Sequence, residues 1–267
     1  MGTTLEEIKA VGSQCETECF RVALPERDLA LEQDAEWCLV EVDGEWREIR
    51  FHDYGELYAI PGLYERVFYD ILKCDSPATI RRLLHEAVEK DGAAPDRLRV
   101  LDVGAGNGMV GEELADIGVN SIVGVDIIEE AVRALDRDRP GVYEAYLVTD
   151  LTRLSPDEEA QLASYRFNGL TCVAALGFGD IPTAAFATAY NFVEPGGWIA
   201  FNIKENFLNG EDTTGFSRLI RYIIDDGILS VQARKRYRHR LATNGDPLHY
   251  VAIVGQKSCD IPGTMVD

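Results

Sequence analysis

Three glycines, Gly104, Gly106 and Gly108, close the run Val100-Leu101-Asp102-Val103-Gly104-Ala105-Gly106-Asn107-Gly108. An apolar strand that ends in glycines and passes into a helix sets a turn at the carboxyl edge of a sheet. Backbone N–H groups and the helix N-terminus can meet a polar ligand there. Glycine suits the turn because it takes positive φ without strain and lets a ligand approach the backbone closely. A turn that held no ligand would not need glycine at this density. The nearest general pattern is the dinucleotide fingerprint G-x-G-x-x-G. The chain misses it by one residue, since Met109 stands where the third glycine would fall. Asp102 also occupies a place that is usually apolar in dinucleotide-binding strands.

Two further acids end later apolar runs, in Val123-Gly124-Val125-Asp126-Ile127 and in Val148-Thr149-Asp150-Leu151. Either acid alone reads as a helix cap. In order and spacing with the glycine turn, the set resembles the class I S-adenosylmethionine-dependent methyltransferases, whose first motif is Asp-x-Gly-x-Gly-x-Gly. The resemblance covers roughly residues 56–267. It implies a Rossmann-like α/β fold: a seven-stranded, mostly parallel sheet with helices on both faces and an antiparallel last strand. It also implies S-adenosylmethionine as cofactor. Asp102, Gly104, Ala105, Gly106 and Asn107 would then form the first cofactor motif. Asp126 would accept from the ribose hydroxyls, as an acid about 20 residues beyond such a turn does, with Ile127 on the adenine face. Asp150 would accept from the adenine amino group beside Leu151. Within Cys172-Val173-Ala174-Ala175-Leu176, Val173 and Ala174 would line the cofactor. Glu194-Pro195-Gly196-Gly197-Trp198 resembles the turn into the family's fifth strand.

Methyl transfer requires a nucleophile held in line and, for a hydroxyl or amine, a general base. The Asn-Pro-Pro-Tyr signature of amino-methyltransferases is replaced by Leu176-Gly177-Phe178-Gly179-Asp180-Ile181-Pro182, which argues against methylation of adenine N6 or glutamine. The candidates for base or substrate contact are His52, Tyr54 and Asp180. Asp180 has an alternative role as cap of a helix that begins at Pro182. Tyr58 joins the cofactor set, because related enzymes place a lid before the core. Phe51, Tyr54, Tyr58, Tyr64 and Phe68 are dense enough in rings for such a lid; ordinary packing or a dimer contact is the alternative. Lys204 and Glu205, at the end of the fifth parallel strand, are candidates for substrate contact, and His249 reads as structural.

The elements that must position these residues follow from periodicity. Residues 1–34 read as partly helical. Trp37–Val42 and Glu45–Phe51 alternate around Asp43-Gly44, a hairpin signature. Helical spacing follows near Leu63–Lys73 and Pro77–Asp91. The apolar runs Arg99–Val103, Ser121–Val125, Tyr143–Val148, Leu170–Ala174 and Trp198–Ile203 then alternate with helices, which implies a parallel sheet covered on both faces. A helix near Thr214–Gly227 precedes Leu229–Leu241 and Leu248–Gln256, a terminal antiparallel pair. The expected organisation is an N-terminal extension of helix and hairpin over residues 1–55, a candidate lid, and a methyltransferase domain over 56–267.

With 267 residues, 46% of them hydrophobic, the chain can bury a large core. A formal charge of −20 repels polyanions and argues against a nucleic-acid partner. The one basic run, Arg234, Lys235, Arg236, Arg238 and Arg240, alternates like a strand with a solvated charged face. No apolar run approaches the ~18 residues of a membrane span. Met1–Ala10 lacks the basic start and apolar stretch of a secretory signal, so a cytoplasmic location is expected. The six cysteines are then expected as free thiols. Cys15 and Cys19 lack a second ligand pair, so no metal site is expected. Together these readings point to methylation of an oxygen or nitrogen on a small molecule. The alternatives are a protein methyltransferase, which needs an open groove, and a cofactor-binding module without turnover.

Overall fold

The computed structural model describes residues 20–29, 31–208 and 215–266. The helical expectation for the first 19 residues, with Cys15 and Cys19, lies outside them. Phe20 starts a strand instead of a helix. In β1 (Phe20–Ala23), Phe20 and Val22 point inward and Arg21 outward, the period-two pattern of a half-buried strand. It pairs antiparallel with β2 (Trp37–Val42), which forms the expected hairpin with β3 (Glu45–Arg50). Two short helices follow, α1 (Tyr54–Ala59) and α2 (Leu63–Glu65), the second running into a wider helical turn over Arg66–Ile71. One apolar core joins these pieces, from Phe20 and Val40 through Phe51 and Leu57 to Phe68 and Leu72. It therefore runs across the sequence boundary at 55/56.

After α3 (Ser76–Lys90), strand and helix alternate: β4 (Arg99–Val103), α4 (Met109–Asp116), β5 (Ser121–Asp126), α5 (Glu129–Asp138), β6 (Ala145–Val148), α6 (Pro156–Ser164), β7 (Gly169–Leu176), α7 (Thr183–Asn191) and β8 (Trp198–Lys204). The chain ends with α8 (Phe216–Asp225), β9 (Leu229–Leu241) and β10 (Pro247–Lys257). The seven-stranded sheet has the order β6-β5-β4-β7-β8-β10-β9. All pairs from β6 to β8 are parallel, and β10 runs antiparallel between β8 and β9. This is the fold expected above.

Alternate residues of each strand serve opposite layers. Leu101 and Val103 of β4, with Ile199, Phe201 and Ile203 of β8, pack under α6, α7 and α8. Val100, Trp198 and Ala200 pack under α3, α4 and α5. Among the described residues, no helix is long and apolar enough to cross a membrane.

The N-terminal unit is tied to the sheet by buried polar contacts. Glu36 is fully buried; its carboxylate takes Arg240 Nη2 at 2.5 Å and the Thr243 N–H at 2.6 Å. Leu241 N–H donates to Leu72 O at 2.7 Å, and Asp75 N–H to His239 O at 2.9 Å. On the other side, Tyr54, Tyr58 and Tyr64 pack on Ala131 and Ala134 of α5.

Candidate active site

The glycine turn leaves β4 with all three glycines in the left-handed region, φ +68° at Gly104, +53° at Gly106 and +88° at Gly108. A Cβ at Gly106 would sit 2.3 Å from Tyr58 Oη, so the side chain of α1 closes directly on the turn. Asp126, at the end of β5, braces the turn from the other side. Its Oδ2 accepts from Gly106 N–H at 2.9 Å, and its Oδ1 from Ile127 N–H at 2.7 Å and Ile128 N–H at 3.2 Å. Burial raises its pKa, against the lowering effect of these three backbone bonds.

A cleft of about 380 Å³ opens at the carboxyl ends of β4, β5, β6 and β7, within the range of small-molecule sites. Gly104, Asp126, Ile127, Asp150, Leu151, Val173, Ala174 and Tyr58 all lie on its wall. Ile127 is 65% exposed, an uncovered apolar surface suited to an aromatic ring. Asp150 is held by Thr152, whose hydroxyl and N–H donate to it and lower its pKa. The structure sets the other members of the first motif elsewhere. Ala105, Gly106 and Asn107 line an adjoining cavity. Asp102 lies beneath the turn, off the wall, where Tyr143 Oη (2.7 Å) and Thr171 Oγ1 (2.6 Å) donate to it. Burial lifts its pKa to about 6 in spite of these two donors.

The adjoining cavity, about 60 Å³, runs from the cleft under the N-terminal unit toward β9 and β10. His52, Tyr54, Tyr58, Gly104, Val173, Ala174 and Asp180 border both spaces. At their junction His52 Nδ1 lies 3.0 and 3.1 Å from the two Asp180 carboxylate oxygens. The ring is steadied by Phe178 at 5.4 Å and Tyr54 at 5.9 Å between centroids. Asp180 is therefore not a helix cap; α7 begins after Pro182 without a side-chain cap bond. A carboxylate on Nδ1 fixes the tautomer and leaves the Nε2 lone pair free, the arrangement of an oriented general base. Burial, and after it the nearby Asp180 charge, push the Tyr54 phenol well above its ordinary value.

Two breaks in the sheet shape the far wall. In β7 the ladder is interrupted between Cys172 and Leu176, and Ala174 takes φ +57°. Its freed N–H donates to Asn202 Oδ1 at 2.6 Å. Asn202 Nδ2 in turn donates to Ser76 Oγ (2.9 Å) and Tyr237 Oη (2.5 Å). In β9 a bulge at His239 leaves it without a partner in the β10 register, since Leu248 pairs with Arg240 and His249 with Arg238. The extra residue buries both His239 and Arg240, side by side in sequence. Arg240 is thus turned inward to Glu36. Arg234, Lys235, Arg236 and Arg238 remain exposed as expected. The last two site candidates fall outside both spaces: Lys204 lies over the Phe178 ring at 5.2 Å, and Glu205 pairs with Arg236 at 2.9 Å.

Periodicity and motifs did not reveal Gln33, Asn202, His239 or Tyr250. Their position depends on strand register and on the N-terminal contact, neither of which has a local sequence signal. The cysteines Cys38, Cys74, Cys172 and Cys259 carry free thiols.

A glycine-turn cleft at the carboxyl edge of this sheet defines a Rossmann-like cofactor-binding α/β protein. A family model described as a methyltransferase domain matches residues 74–245, and the chain belongs to that family. It is 31% identical over 104 residues to the ubiquinone biosynthesis O-methyltransferase of Thiobacillus denitrificans, covering 39% of this chain and 43% of that protein. It is 32% identical over 110 residues to the enzyme of the same name from Aromatoleum aromaticum, covering 41% and 45%. The chain thus matches less than half the length of these curated relatives. Among solved structures, the N-methyltransferase NodS from Bradyrhizobium japonicum, in complex with S-adenosylhomocysteine, aligns with a TM-score of 0.50 at 14% identity, over 78% of this chain and 97% of that one. That likeness is one of fold.

Proposed function

We propose that this protein transfers a methyl group from S-adenosylmethionine to an oxygen or nitrogen of a small molecule, with His52 as general base and Asp180 as the residue that orients it. The observation that carries the reading is the placement of the His52–Asp180 pair on the wall shared by the glycine-turn cleft and the adjoining cavity. The cleft residues suit the cofactor: Asp126 for ribose hydroxyls, the bare Ile127 face for the adenine, and the positive-φ turn for close backbone approach. When bound, the cofactor supplies a methyl group made electrophilic by its sulfonium.

The protein's own contribution is orientation, dryness and proton removal. His52 Nε2 takes the proton of an acceptor hydroxyl or amine, a step typically worth about 10²–10⁴-fold. Asp180 holds the ring and stabilises the imidazolium that forms. Tyr54, Tyr58 and Tyr64 exclude water, which strengthens each polar contact inside. Tyr58 is kept protonated by burial. The unit from Phe20 to Leu72 acts as a lid over the carboxyl ends of the strands. A pocket roofed in this way favours a compact acceptor over a polypeptide, and the charge of −20 disfavours a nucleic acid. We place the reaction in the cytoplasm.

Calorimetric titration with S-adenosylhomocysteine and with NAD+ tests the cofactor, with micromolar binding expected for the first alone. Incubation with methyl-labelled S-adenosylmethionine and size-fractionated cell extract tests the acceptor. Label recovered only in protein would overturn the small-molecule reading.

A further inference from the structure

We propose that Glu65 is a releasable latch: it fastens α2 to the glycine turn through Asn107 and to the end of α5 through Arg139, so that the Asn107 side chain serves the lid and not the cofactor. This deepens, and rests on, the cofactor reading above.

The turn is roofed. Ala105, Gly106 and Asn107 are buried, and Tyr58 of α1 closes on Gly106. A cofactor that reaches these backbone groups must enter and leave past α1 and α2. Glu65 Oε1 accepts from Asn107 Nδ2 at 3.0 Å and from Arg139 Nη1 at 2.7 Å. Asn107 Nδ2 also donates to Asp138 Oδ2 at 3.2 Å. Two carboxylates face this nitrogen, which fixes the orientation of the amide, and its two protons are thereby taken up.

The partners on the sheet side make the contact releasable. Without Glu65, Arg139 still holds Glu112, Nε to Oε2 at 2.8 Å, and Asn107 still holds Asp138. Arg137, which donates to Tyr58 O at 3.1 Å, likewise keeps Asp138 at 2.6 Å. Lifting α1 and α2 therefore strands no charge on α5. The Glu65 side chain is already 36% exposed and turns readily to water. The apolar contact here sets three tyrosines against the small side chains Ala131 and Ala134. The opposite edge of the lid differs. Glu36 and Arg240 are almost fully buried, and Glu36 is the one anionic partner of Arg240 among the described residues. Parting them would leave two buried charges unpaired, which is costly. Leu72 and Asp75 are bonded to β9 through the backbone. The lid accordingly turns on its β9 edge and opens at α5.

The test uses the immobilised full chain with S-adenosylhomocysteine as analyte in surface plasmon resonance, and hydrogen–deuterium exchange on the free chain. Glu65→Ala should release S-adenosylhomocysteine roughly five- to tenfold faster without slowing association. Amide exchange should rise over residues 54–65 and stay unchanged over β2 and β3. Asn107→Ala should also speed release, and the double variant should fall well short of the product of the two effects, since both break one contact. Glu65→Gln, which keeps an acceptor oxygen, should lie between, and it carries the same test if Glu65→Ala does not fold. Glu112→Ala, which takes a carboxylate from Arg139 but not from the lid, should leave release within about twofold. Unchanged release in both Glu65 variants, effects of Glu65 and Asn107 that multiply, exchange raised evenly over residues 20–72, or equal acceleration by Glu112→Ala would each overturn the proposal. Failure of the unmodified chain to bind S-adenosylhomocysteine would remove the cofactor reading, and this proposal with it.

Discussion

Replacing Asp126 by alanine separates two things the carboxylate does. An ionised carboxyl group offers about four lone-pair sites. Three are engaged by the N–H groups of Gly106, Ile127 and Ile128. In this arrangement about one strong site remains for a ligand hydroxyl, and a hydrogen bond to a charged group contributes roughly 1.5–3 kcal/mol. The Gly106 N–H orphaned by the substitution weakens the protein with or without ligand, so that part of the cost appears in stability. Asp126→Ala should therefore lower S-adenosylhomocysteine affinity by about 2 kcal/mol, roughly 30-fold, and destabilise the fold by about 1–3 kcal/mol. Asp126→Asn keeps an acceptor for Gly106 but loses the charge, and should cost affinity about fivefold, near 1 kcal/mol. Isothermal titration gives the affinities, and circular dichroism with urea unfolding gives the stabilities. A folded Asp126→Ala protein that binds S-adenosylhomocysteine as tightly as the original would show that the ribose site lies elsewhere.

Once an acceptor is known, His52→Ala should lower kcat about 10²–10⁴-fold while leaving S-adenosylhomocysteine affinity within twofold; a kcat within threefold of the original would end the general-base assignment. Asp102 has its folded pKa raised, to about 6 from 3.8, so its contribution to stability is present below about pH 4 and lost as pH rises toward 6. Relative to Asp102→Asn, the original chain should accordingly lose up to roughly 3 kcal/mol between pH 4 and pH 7, and parallel stability–pH curves for the two proteins would contradict this. Glu36→Gln strands the buried Arg240 charge and should destabilise by about 3–5 kcal/mol, with much of the loss recovered in Glu36→Gln/Arg240→Met; thermal unfolding unchanged in the single variant would show that the pair does not hold the N-terminal unit.

Much of the sheet was legible because its cause is local. Parallel strands buried on both faces read as largely apolar runs, and Val100–Val103, Ile122–Val125 and Ile199–Ile203 are such runs, broken only by Asp102 and Asn202. The glycine turn was legible because only glycine takes three positive φ values within five residues without strain. The acids at 126 and 150 were legible as positions, but their surroundings were not. Nothing near Asp102 in sequence announces that Tyr143 and Thr171 will enclose it. Phe20–Ala23 was missed as a strand because four residues carry too little alternation to stand out, and its pairing with β2 supplies the missing stabilisation.

The remaining departures share one physical origin. Strand periodicity predicts a face only while the ladder is unbroken, since one inserted residue exchanges inside for outside. Read by alternation, Arg240 belongs with Arg234, Arg236 and Arg238 on the solvated face. The bulge at His239 turns it inward to Glu36, beside His239, which faces inward with Tyr237. The interruption of β7 likewise frees Ala174 N–H for Asn202, at the head of the chain of bonds that ends on His239. Neither residue at these breaks has a favourable local reason to be there: Ala174 sits at positive φ, and His239 is an imidazole buried beside a guanidinium. Local choices that run against the fold persist where the surrounding structure over-determines them, and such places concentrate at functional sites. The two breaks lie on the same wall of the same cavity and are joined by one hydrogen-bond chain, so the irregularity of the sheet here is what builds the pocket.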